Sequence, residues 1–213
     1  MKILKYVFMV LALLCAGQVL AVADPGKAGY ILVDPPQPTN SGDKIEVLQF
    51  FFYPCSHCFK LDPFLRAWEK KMSKDIAMVN ESTVFSDSME PMARTFYALE
   101  ALRQRQQLHE KLFNALHEKK MDLSEEATLT EFVVEQGVDR KKFTESFNSP
   151  LTQARVARSK KMAADYGIRG TPTLIVDGRY MIYGLPPKET IQMLDSVVNK
   201  VREERKESAA KNI

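Results

Sequence analysis

The fold of this chain is decided by residues 44–58, which read Lys-Ile-Glu-Val-Leu-Gln-Phe-Phe-Phe-Tyr-Pro-Cys-Ser-His-Cys. Up to Phe52 the side chains are β-branched, aromatic and nearly all apolar, which is typical of a central strand buried on both faces. After Cys58 the apolar side chains instead recur at the spacing of a helix, at Phe59, Leu61, Phe64, Leu65 and Trp68. A buried strand therefore leads directly into a helix, and two cysteines, Cys55 and Cys58, lie at the junction.

The rest of the chain continues this alternation of strand and helix. Residues 76–85 predict a second strand, and from about 87 to 167 helical signals are dense enough for four or five helices. Residues 171–183 predict two strands joined by an Asp-Gly turn. Residues 187–204 predict a last amphipathic helix, followed by a frayed tail. The order predicts an α/β fold with an inserted all-helical subdomain at about 87–167.

The helical block also carries signals for where its helices begin and end. We expect Ser88 to cap one helix, with Pro91 in its first turn, and Ser124 to open another through a capping box. Asp139 is a third candidate cap. Gly137 and Gly167 are expected to end helices.

The first 23 residues have the three-part layout of a secretory signal peptide. Two lysines precede an apolar run at residues 6–14, and Ala21-Val-Ala23 supplies the small residues that a signal peptidase needs. The apolar run is too short to anchor the chain in a bilayer about 30 Å thick. We predict cleavage after Ala23, which leaves residues 24–213, beginning with an arm at 24–43 that holds an edge strand near residues 30–33.

The mature chain is almost neutral. Removal of residues 1–23 takes two lysines and no acid, so 30 basic against 27 acidic residues become 28 against 27. A chain of this balance lacks the basic footprint of a nucleic-acid-binding protein, and its mature part has no apolar stretch that approaches a membrane span. We therefore expect proteins or small molecules as partners, and no nucleic acid.

Cysteine usage points to redox chemistry. Cys15 lies in the predicted signal peptide, and lipid attachment there is disfavoured because Leu14 stands where a small residue is needed. Only Cys55 and Cys58 then reach an oxidising compartment. A pair two residues apart closes a very short loop and is a poor structural crosslink, so reactivity is the better reason for its presence.

The position of the pair predicts an oxidant. A helix N-terminus presents unpaired N–H groups and the positive end of the helix dipole, both of which stabilise a thiolate on Cys55. His57 can add a positive charge or a hydrogen-bond donor. A lowered pKa of Cys55 makes the reduced form stable and the sulfur a good leaving group, so the disulfide passes readily to a substrate. Cys58, one turn further in, is expected to resolve mixed disulfides.

Three pieces of the sequence together resemble the DsbA family of periplasmic disulfide oxidases. They are Phe50-Phe51-Phe52 before Cys55-x-His57-Cys58, the helical insertion, and Gly170-Thr171-Pro172 before the final hairpin. The resemblance covers essentially the whole mature chain. It implies a thioredoxin fold for residues 24–213, with the insertion at about 87–167. It also implies a cis bond before Pro172, with Thr171 and Pro172 lying against the disulfide and pairing with the substrate backbone.

The resemblance further implies partners and a location. The expected substrates are reduced, unfolded exported proteins, and the expected site of action is the periplasm. Reoxidation is expected from a DsbB-like quinone-linked membrane protein. We expect a monomer with no bound cofactor or metal, in which the redox-active Cys55–Cys58 pair carries the chemistry.

The sequence departs from the family pattern around the active site. Ser56 stands where many relatives have proline, which leaves the reduction potential open. Gln49 stands where many relatives place a buried glutamate, and a partnering lysine is absent near Asn80. We expect Ser56 and Gln49 to modulate the site, although Gln49 can equally be an ordinary buried polar residue.

Other functions stay open for the same residues. Cys55, Cys58 and His57 could bind a metal, but they cannot close a tetrahedral site without further ligands. His109 and His117, two helical turns apart, are expected on the surface. A disulfide isomerase or reductase is disfavoured, because exported forms usually carry a separate dimerisation domain and only a short arm precedes the first main strand. A metal-binding or chaperone-like module is the third alternative.

A basic run in the last part of the helical block has two interpretations. We expect it to coat a solvated helix face, and the lesser alternative is a docking surface. Its members are Arg155, Arg158, Lys160 and Lys161.

Overall fold

The computed structural model describes residues 29–211. The predicted signal peptide, with Cys15, lies outside these residues. The strands are β1 (Ile31–Leu32), β2 (Ile45–Phe51), β3 (Ile76–Ser82), β4 (Thr173–Val176) and β5 (Tyr180–Tyr183). The helices are α1 (Ser56–Glu69), α2 (Glu90–Ala101), α3 (Arg105–His117), α4 (Glu126–Glu135), α5 (Arg140–Phe147), α6 (Pro150–Asp165) and α7 (Pro187–Lys211), and a 3-10 turn (Asp87–Met89) precedes α2.

The strands form one mixed sheet in the order β1-β5-β4-β2-β3. β2 lies inside it, parallel to β3 and antiparallel to β4. All seven residues of β2 are buried, as its almost continuous apolar sequence predicts. β1 pairs with β5 at the edge, which confirms the edge strand expected near residues 30–33.

Alternate residues of β2 pack against helices on opposite faces of the sheet. Val47 shares a core with Leu65 of α1 and Leu194 of α7. Leu48, one residue on, belongs to a second core with Ala163 of α6. The sheet is thus covered on both faces, which is the three-layer arrangement of an α/β protein.

Five helices, α2 to α6, are inserted between β3 and β4. Their apolar faces form a third core that also takes in Phe51, Tyr53 and Cys58, at the carboxyl end of β2 and the start of α1. The helical insertion predicted from the sequence is therefore present, and it packs directly against the cysteine-bearing segment.

The ends of the inserted helices agree with the sequence signals only in part. Gly137 and Gly167 follow helices with φ of 93° and 64°, and the Asp139 carboxylate accepts from the Lys142 N–H, as predicted. Ser88 lies inside the 3-10 turn and does not cap α2, whose first turn holds Pro91 as expected.

The capping box at Ser124 is also wrong. α4 begins at Glu126, with Glu125 in the cap position. The Ser124 N–H instead donates to the Asp122 carboxylate at 3.1 Å. A competing local turn at Asp122 thus moves the cap position from the predicted Ser124 to Glu125.

The final hairpin has the predicted Asp-Gly turn. Asp177 and Gly178 have φ of 56° and 67°, the left-handed region that such a turn requires. The Gln37 N–H donates to the Gly178 carbonyl at 3.0 Å, and a Cβ at position 178 would lie 2.0 Å from the Gln37 oxygen. The close approach of the N-terminal arm therefore requires glycine here.

The predicted fraying after Glu204 is wrong, because α7 continues to Lys211. Arg205 attaches this end of the helix to the sheet. Its guanidinium lies 2.6 Å from the Asp177 carboxylate and also donates to the carbonyl of Lys44 at 3.3 Å. Within residues 29–211 no helix is both long and apolar enough to cross a bilayer.

Candidate active site

The two cysteines lie where the chain leaves β2 and enters α1. After Phe51 the backbone turns, and the Cys55 N–H donates to the Phe52 carbonyl at 3.0 Å. Cys55 is the cap residue of α1, with extended backbone angles and no capping side-chain hydrogen bond. Its sulfur is therefore placed at the unpaired N–H groups of the first helical turn, as the sequence predicts.

The two sulfurs have contrasting surroundings. Cys55 is partly exposed, whereas Cys58 is 0 % exposed, and both are thiols in the structure. A hydrogen bond from the Cys58 side chain, with others from the Thr171 side chain and the N–H groups of Cys58 and His57, lowers the pKa of Cys55 to about 5. Burial raises the pKa of Cys58 far above its usual range. One sulfur is thus stabilised as a thiolate and the other as a thiol.

Thr171 and Pro172 lie against these sulfurs. The peptide bond between them is cis, as the family resemblance implies. The Cys55 thiol donates to the Thr171 carbonyl at 3.2 Å, across 116 residues of sequence. A second cis bond, Asp34–Pro35, was not foreseen.

The side chains of Ser56 and His57 are exposed at the start of α1. His57 contributes to the lowered pKa of Cys55 through its backbone N–H. The positive side-chain charge proposed from the sequence is not among the causes of that shift. Both residues are open to solvent beside Cys55.

A groove of about 990 Å³ lies beside the cysteines. His57 and Lys60 line one side of it, and Thr171 and Pro172 line another. Apolar side chains from the edge of the sheet complete the wall, among them Leu32, which is 65 % exposed, and Tyr183, which is 56 % exposed. An apolar groove next to a reactive sulfur is suited to hold an extended peptide.

Gln49 is buried in β2, six residues before Cys55. It alternates with Val47 and Phe51, whose side chains pack on the face of the sheet that α1 covers. Its partner across the parallel pair is Asn80. Gln49 and Asn80, which are both neutral, are thus neighbours in the sheet. They occupy the positions where the family resemblance leads one to look for a glutamate and a partnering lysine.

The expectation that His109 and His117 are surface residues is wrong. His109 Nδ1 lies 2.8 Å from the Tyr53 hydroxyl, and His117 Nε2 lies 2.7 Å from the Tyr53 carbonyl oxygen. His117 also stacks on Phe59, with 4.7 Å between ring centres. The spacing of eight residues correctly places both histidines on one face of α3, but it does not reveal that this face meets the active-site segment.

The basic run lies on a partly solvated face of α6, with Arg158 and Lys161 exposed, and each of its cations also faces an acid. Arg158 pairs at 3.0 Å with Glu81, a carboxylate only 1 % exposed, and Arg155 pairs at 2.7 Å with Glu100. Lys160 contacts Glu90 and Lys161 contacts Asp165. Arg155 and Lys160 thus link α6 to α2, and Arg158 links α6 to β3, whereas the Lys161–Asp165 pair lies within α6.

Within the described residues no group of three or more His, Cys, Asp and Glu side chains is arranged to hold a metal ion. A helix N-terminal cysteine pair with unequal sulfurs, adjacent to a cis-proline loop, is suited to thiol–disulfide exchange.

Comparison with known proteins agrees with this geometry. Residues 46–194 match a family model described as a DSBA-like thioredoxin domain. The chain belongs to this family. It is 36 % identical over 174 residues to the thiol:disulfide interchange protein DsbA of Burkholderia cepacia, covering 80 % of this chain and 82 % of the relative. It is 37 % identical over 156 residues to DsbA of Bordetella parapertussis, covering 73 % and 74 %.

Solved structures of the DsbA family share the fold. The crystal structure of Pseudomonas aeruginosa DsbA superposes with a TM-score of 0.80 at 28 % identity, covering 84 % of this chain and 94 % of that one. The oxidoreductase NmDsbA1 from N. meningitidis gives a TM-score of 0.75 at 31 % identity, covering 83 % and 93 %. The predicted thioredoxin fold with an inserted helical subdomain is thereby confirmed, and the chain is a thiol–disulfide oxidoreductase of the DsbA family.

Proposed function

We propose that this chain is a dithiol oxidase that donates a Cys55–Cys58 disulfide to newly exported proteins. The observation that carries the proposal is the inequality of the two sulfurs. Cys55 is partly exposed and its pKa is lowered to about 5, while Cys58 is fully buried and its pKa is raised. A stable thiolate is a good leaving group, so such a pair gives its disulfide away.

The reaction consists of two exchanges. A substrate thiolate attacks the Cys55 sulfur, the Cys55–Cys58 bond breaks, and Cys58 leaves with the electron pair and takes up a proton. A second substrate thiolate attacks the substrate sulfur of this mixed disulfide, and Cys55 leaves as a thiolate. The substrate gains one disulfide, and its two electrons now reside on Cys55 and Cys58. If no second substrate thiol arrives, Cys58 attacks Cys55 and releases the substrate still reduced.

The surroundings of the pair support binding of an unfolded substrate. An extended segment in the groove would pair with the backbone at Thr171 and Pro172, next to the Cys55 sulfur. His57 and Ser56 lie at the same surface and would tune how a substrate thiol approaches.

The location and the partners follow from the family and from the sequence. The proposal places the protein in the periplasm, exported by residues 1–23, and acting as a monomer without nucleic acid. The electrons collected by the two sulfurs must leave again, and we assign that step to a DsbB-like quinone-linked membrane oxidase. The chemistry itself needs no cofactor, because sulfur atoms carry both electrons.

The proposal is tested by incubating the oxidised mature protein with a reduced, unfolded protein that contains two cysteines. We expect one substrate disulfide for each molecule of oxidised protein, followed by mass spectrometry after the thiols are blocked. Rearrangement of existing disulfides without net oxidation would indicate an isomerase. No change in the substrate thiols would indicate a binding module and refute the proposed function.

A further inference from the structure

Tyr53, two residues before Cys55, is buried and is contacted by two histidines of the helical insertion. Its side chain is 0 % exposed and packs among aromatic rings, with 5.1 Å between its ring centre and that of Phe51 and 4.9 Å to that of Phe113. Its hydroxyl and its carbonyl oxygen are each held by a histidine of α3, at 2.8 Å by His109 and at 2.7 Å by His117. The helical insertion therefore holds this one residue by its hydroxyl and by its carbonyl oxygen.

The hydrogen bond from Tyr53 continues into α1. His109 Nε2 lies 2.9 Å from one oxygen of Asp62, whose other oxygen accepts from Arg66 Nε at 2.8 Å. A carboxylate can only accept, so His109 Nε2 carries the hydrogen that it donates to Asp62, and His109 Nδ1 shares the other hydrogen bond with the Tyr53 hydroxyl. His109 thus bridges Tyr53 and Asp62 through its two ring nitrogens.

This chain of hydrogen bonds encloses the segment that carries the cysteines. The carbonyl of Phe52, next to Tyr53, accepts the Cys55 N–H at 3.0 Å. Asp62 lies on α1, one turn beyond Cys58. A displacement of Tyr53 would therefore move the backbone that places both sulfurs at the helix N-terminus.

We propose that Tyr53, His109 and Asp62 are positioning residues, through which the helical insertion fixes the turn before Cys55 in the geometry that disulfide donation requires. His117 is the second support, at the Tyr53 carbonyl. The inference rests on the proposed function, since it assigns a means of tuning to the same pair of sulfurs. It also gives the helical insertion a role in the reaction. His109 and His117 form part of the contact between the insertion and the active site.

The test compares two buried tyrosines of the full mature chain. Tyr53→Phe removes one oxygen atom and leaves the ring packing in place. Tyr97→Phe is the matched control, because the Tyr97 side chain is 1 % exposed and its hydroxyl donates at 2.6 Å to Glu81 of β3, outside the hydrogen bonds that join α3 to α1. Both variants lose one buried hydrogen bond, so both should unfold at a lower temperature than the parent.

The two variants should differ in the chemistry of Cys55. We expect the pKa of Cys55, followed by thiolate absorbance, to rise by about half a unit in Tyr53→Phe, which is about threefold less thiolate at a pH below that pKa. The equilibrium constant with glutathione should move towards a weaker oxidant. Tyr97→Phe should change neither quantity. Equal shifts in both variants, or none in either, would overturn the inference.

Rescue separates positioning from general packing. His109→Ala should shift the Cys55 titration as Tyr53→Phe does, whereas His109→Asn keeps a side-chain oxygen near the place of Nδ1 and should restore part of the parent value. Equal behaviour of the alanine and asparagine variants would count against the inference. If Cys55 of the parent itself titrates near its ordinary value, the proposed function fails; if the parent titrates low and the variants match it, only the positioning role fails.

Discussion

At the scale of single residues, the site is governed by the difference between two sulfurs three positions apart. Cys55 lies at the open end of a helix, and Cys58 is enclosed by the core that joins α1 to the insertion. The folded protein therefore stabilises the thiolate of Cys55 but the protonated thiol of Cys58. Two predictions follow from the surroundings of these sulfurs.

The first prediction concerns trapping of a substrate. Incubated with a substrate that carries a disulfide, Cys58→Ser should accumulate a mixed disulfide. Its Cys55 thiolate attacks one substrate sulfur, the other substrate sulfur leaves as a thiolate, and Cys58, whose attack on Cys55 would release the substrate, has been removed. Cys55→Ser should form no such complex, since the remaining sulfur of Cys58 is fully buried. Non-reducing electrophoresis followed by mass spectrometry checks both variants. Equal trapping by the two would reverse or remove the assignment of roles.

The second prediction concerns Gln49. Gln49→Glu places a carboxylate in β2 on the face covered by α1, where a second negative charge opposes the thiolate. We expect the pKa of Cys55 to rise by about 0.5 to 1 unit and the protein to become a weaker oxidant. The exposed Gln192→Glu is the control, because it adds the same charge on α7. A Cys55 titration that stays unchanged or falls would show that position 49 does not lie beneath the sulfurs.

At the scale of structural elements, the active site depends on a loop from the far end of the chain. Thr171 and Pro172, between α6 and β4, bring a carbonyl to within 3.2 Å of the Cys55 sulfur. In the proposed function, this loop supplies the backbone with which an extended substrate pairs, next to the sulfur that the substrate attacks.

The prediction for this loop is that Pro172→Ala impairs substrate release more than folding. Alanine adds a backbone N–H beside the sulfurs that proline lacks, which alters the surface that pairs with the substrate. Substrate oxidation should slow by on the order of tenfold, equal to about 1.4 kcal/mol in the barrier, and mixed disulfides should persist. Stopped-flow kinetics with a model peptide measures this. Pro91→Ala, in the first turn of α2, is the control, and an unchanged rate for Pro172→Ala would place the loop outside the reaction.

The elements also show which features the sequence predicts well. β2 was predicted from its almost continuous apolar run and α1 from its helical apolar spacing, both of which are local signals. The Asp177-Gly178 turn was predicted because its backbone angles favour those residue types. The cap at Ser124 failed because Asp122 offers the backbone a competing hydrogen bond. His109 was misplaced because periodicity identifies a helix face without identifying what packs against it.

At the scale of the whole molecule, the redox state of the cysteine pair alters the free energy of unfolding. The folded reduced form lowers the pKa of Cys55 from 9.0 to about 5, so its thiolate adds stability that is complete above about pH 9 and lost as the pH falls through about 5. At pH 7 this amounts to at most about 2.7 kcal/mol. The disulfide raises the free energy of unfolding of the oxidised form by about 1.9 kcal/mol, because it closes a loop of about four residues in the unfolded chain.

These opposing contributions predict a crossover. Above about pH 6 the reduced protein should unfold at the higher temperature, and below it the oxidised protein should. Calorimetry of both forms between roughly pH 4 and pH 8 measures the difference. Cys55→Ser, which cannot form the thiolate, should lose the pH dependence attributed to it. An oxidised form that is the more stable at pH 7 would indicate a reductase instead of an oxidant.

The pairing of β1 with β5 has a consequence for how the protein comes into being. Ile31 lies beside Met181, so the earliest strand of the described chain finds its place only after 150 later residues are available. Leu32, on that strand, also forms a wall of the groove, and Thr171 and Pro172 come equally late. Because domains emerge with their N-terminal part first and distant pairings form slowly, the substrate-binding face is completed last. A partly synthesised chain would therefore contain both cysteines before the proposed substrate groove has formed. We expect it to donate a disulfide only after β1 and β5 have paired.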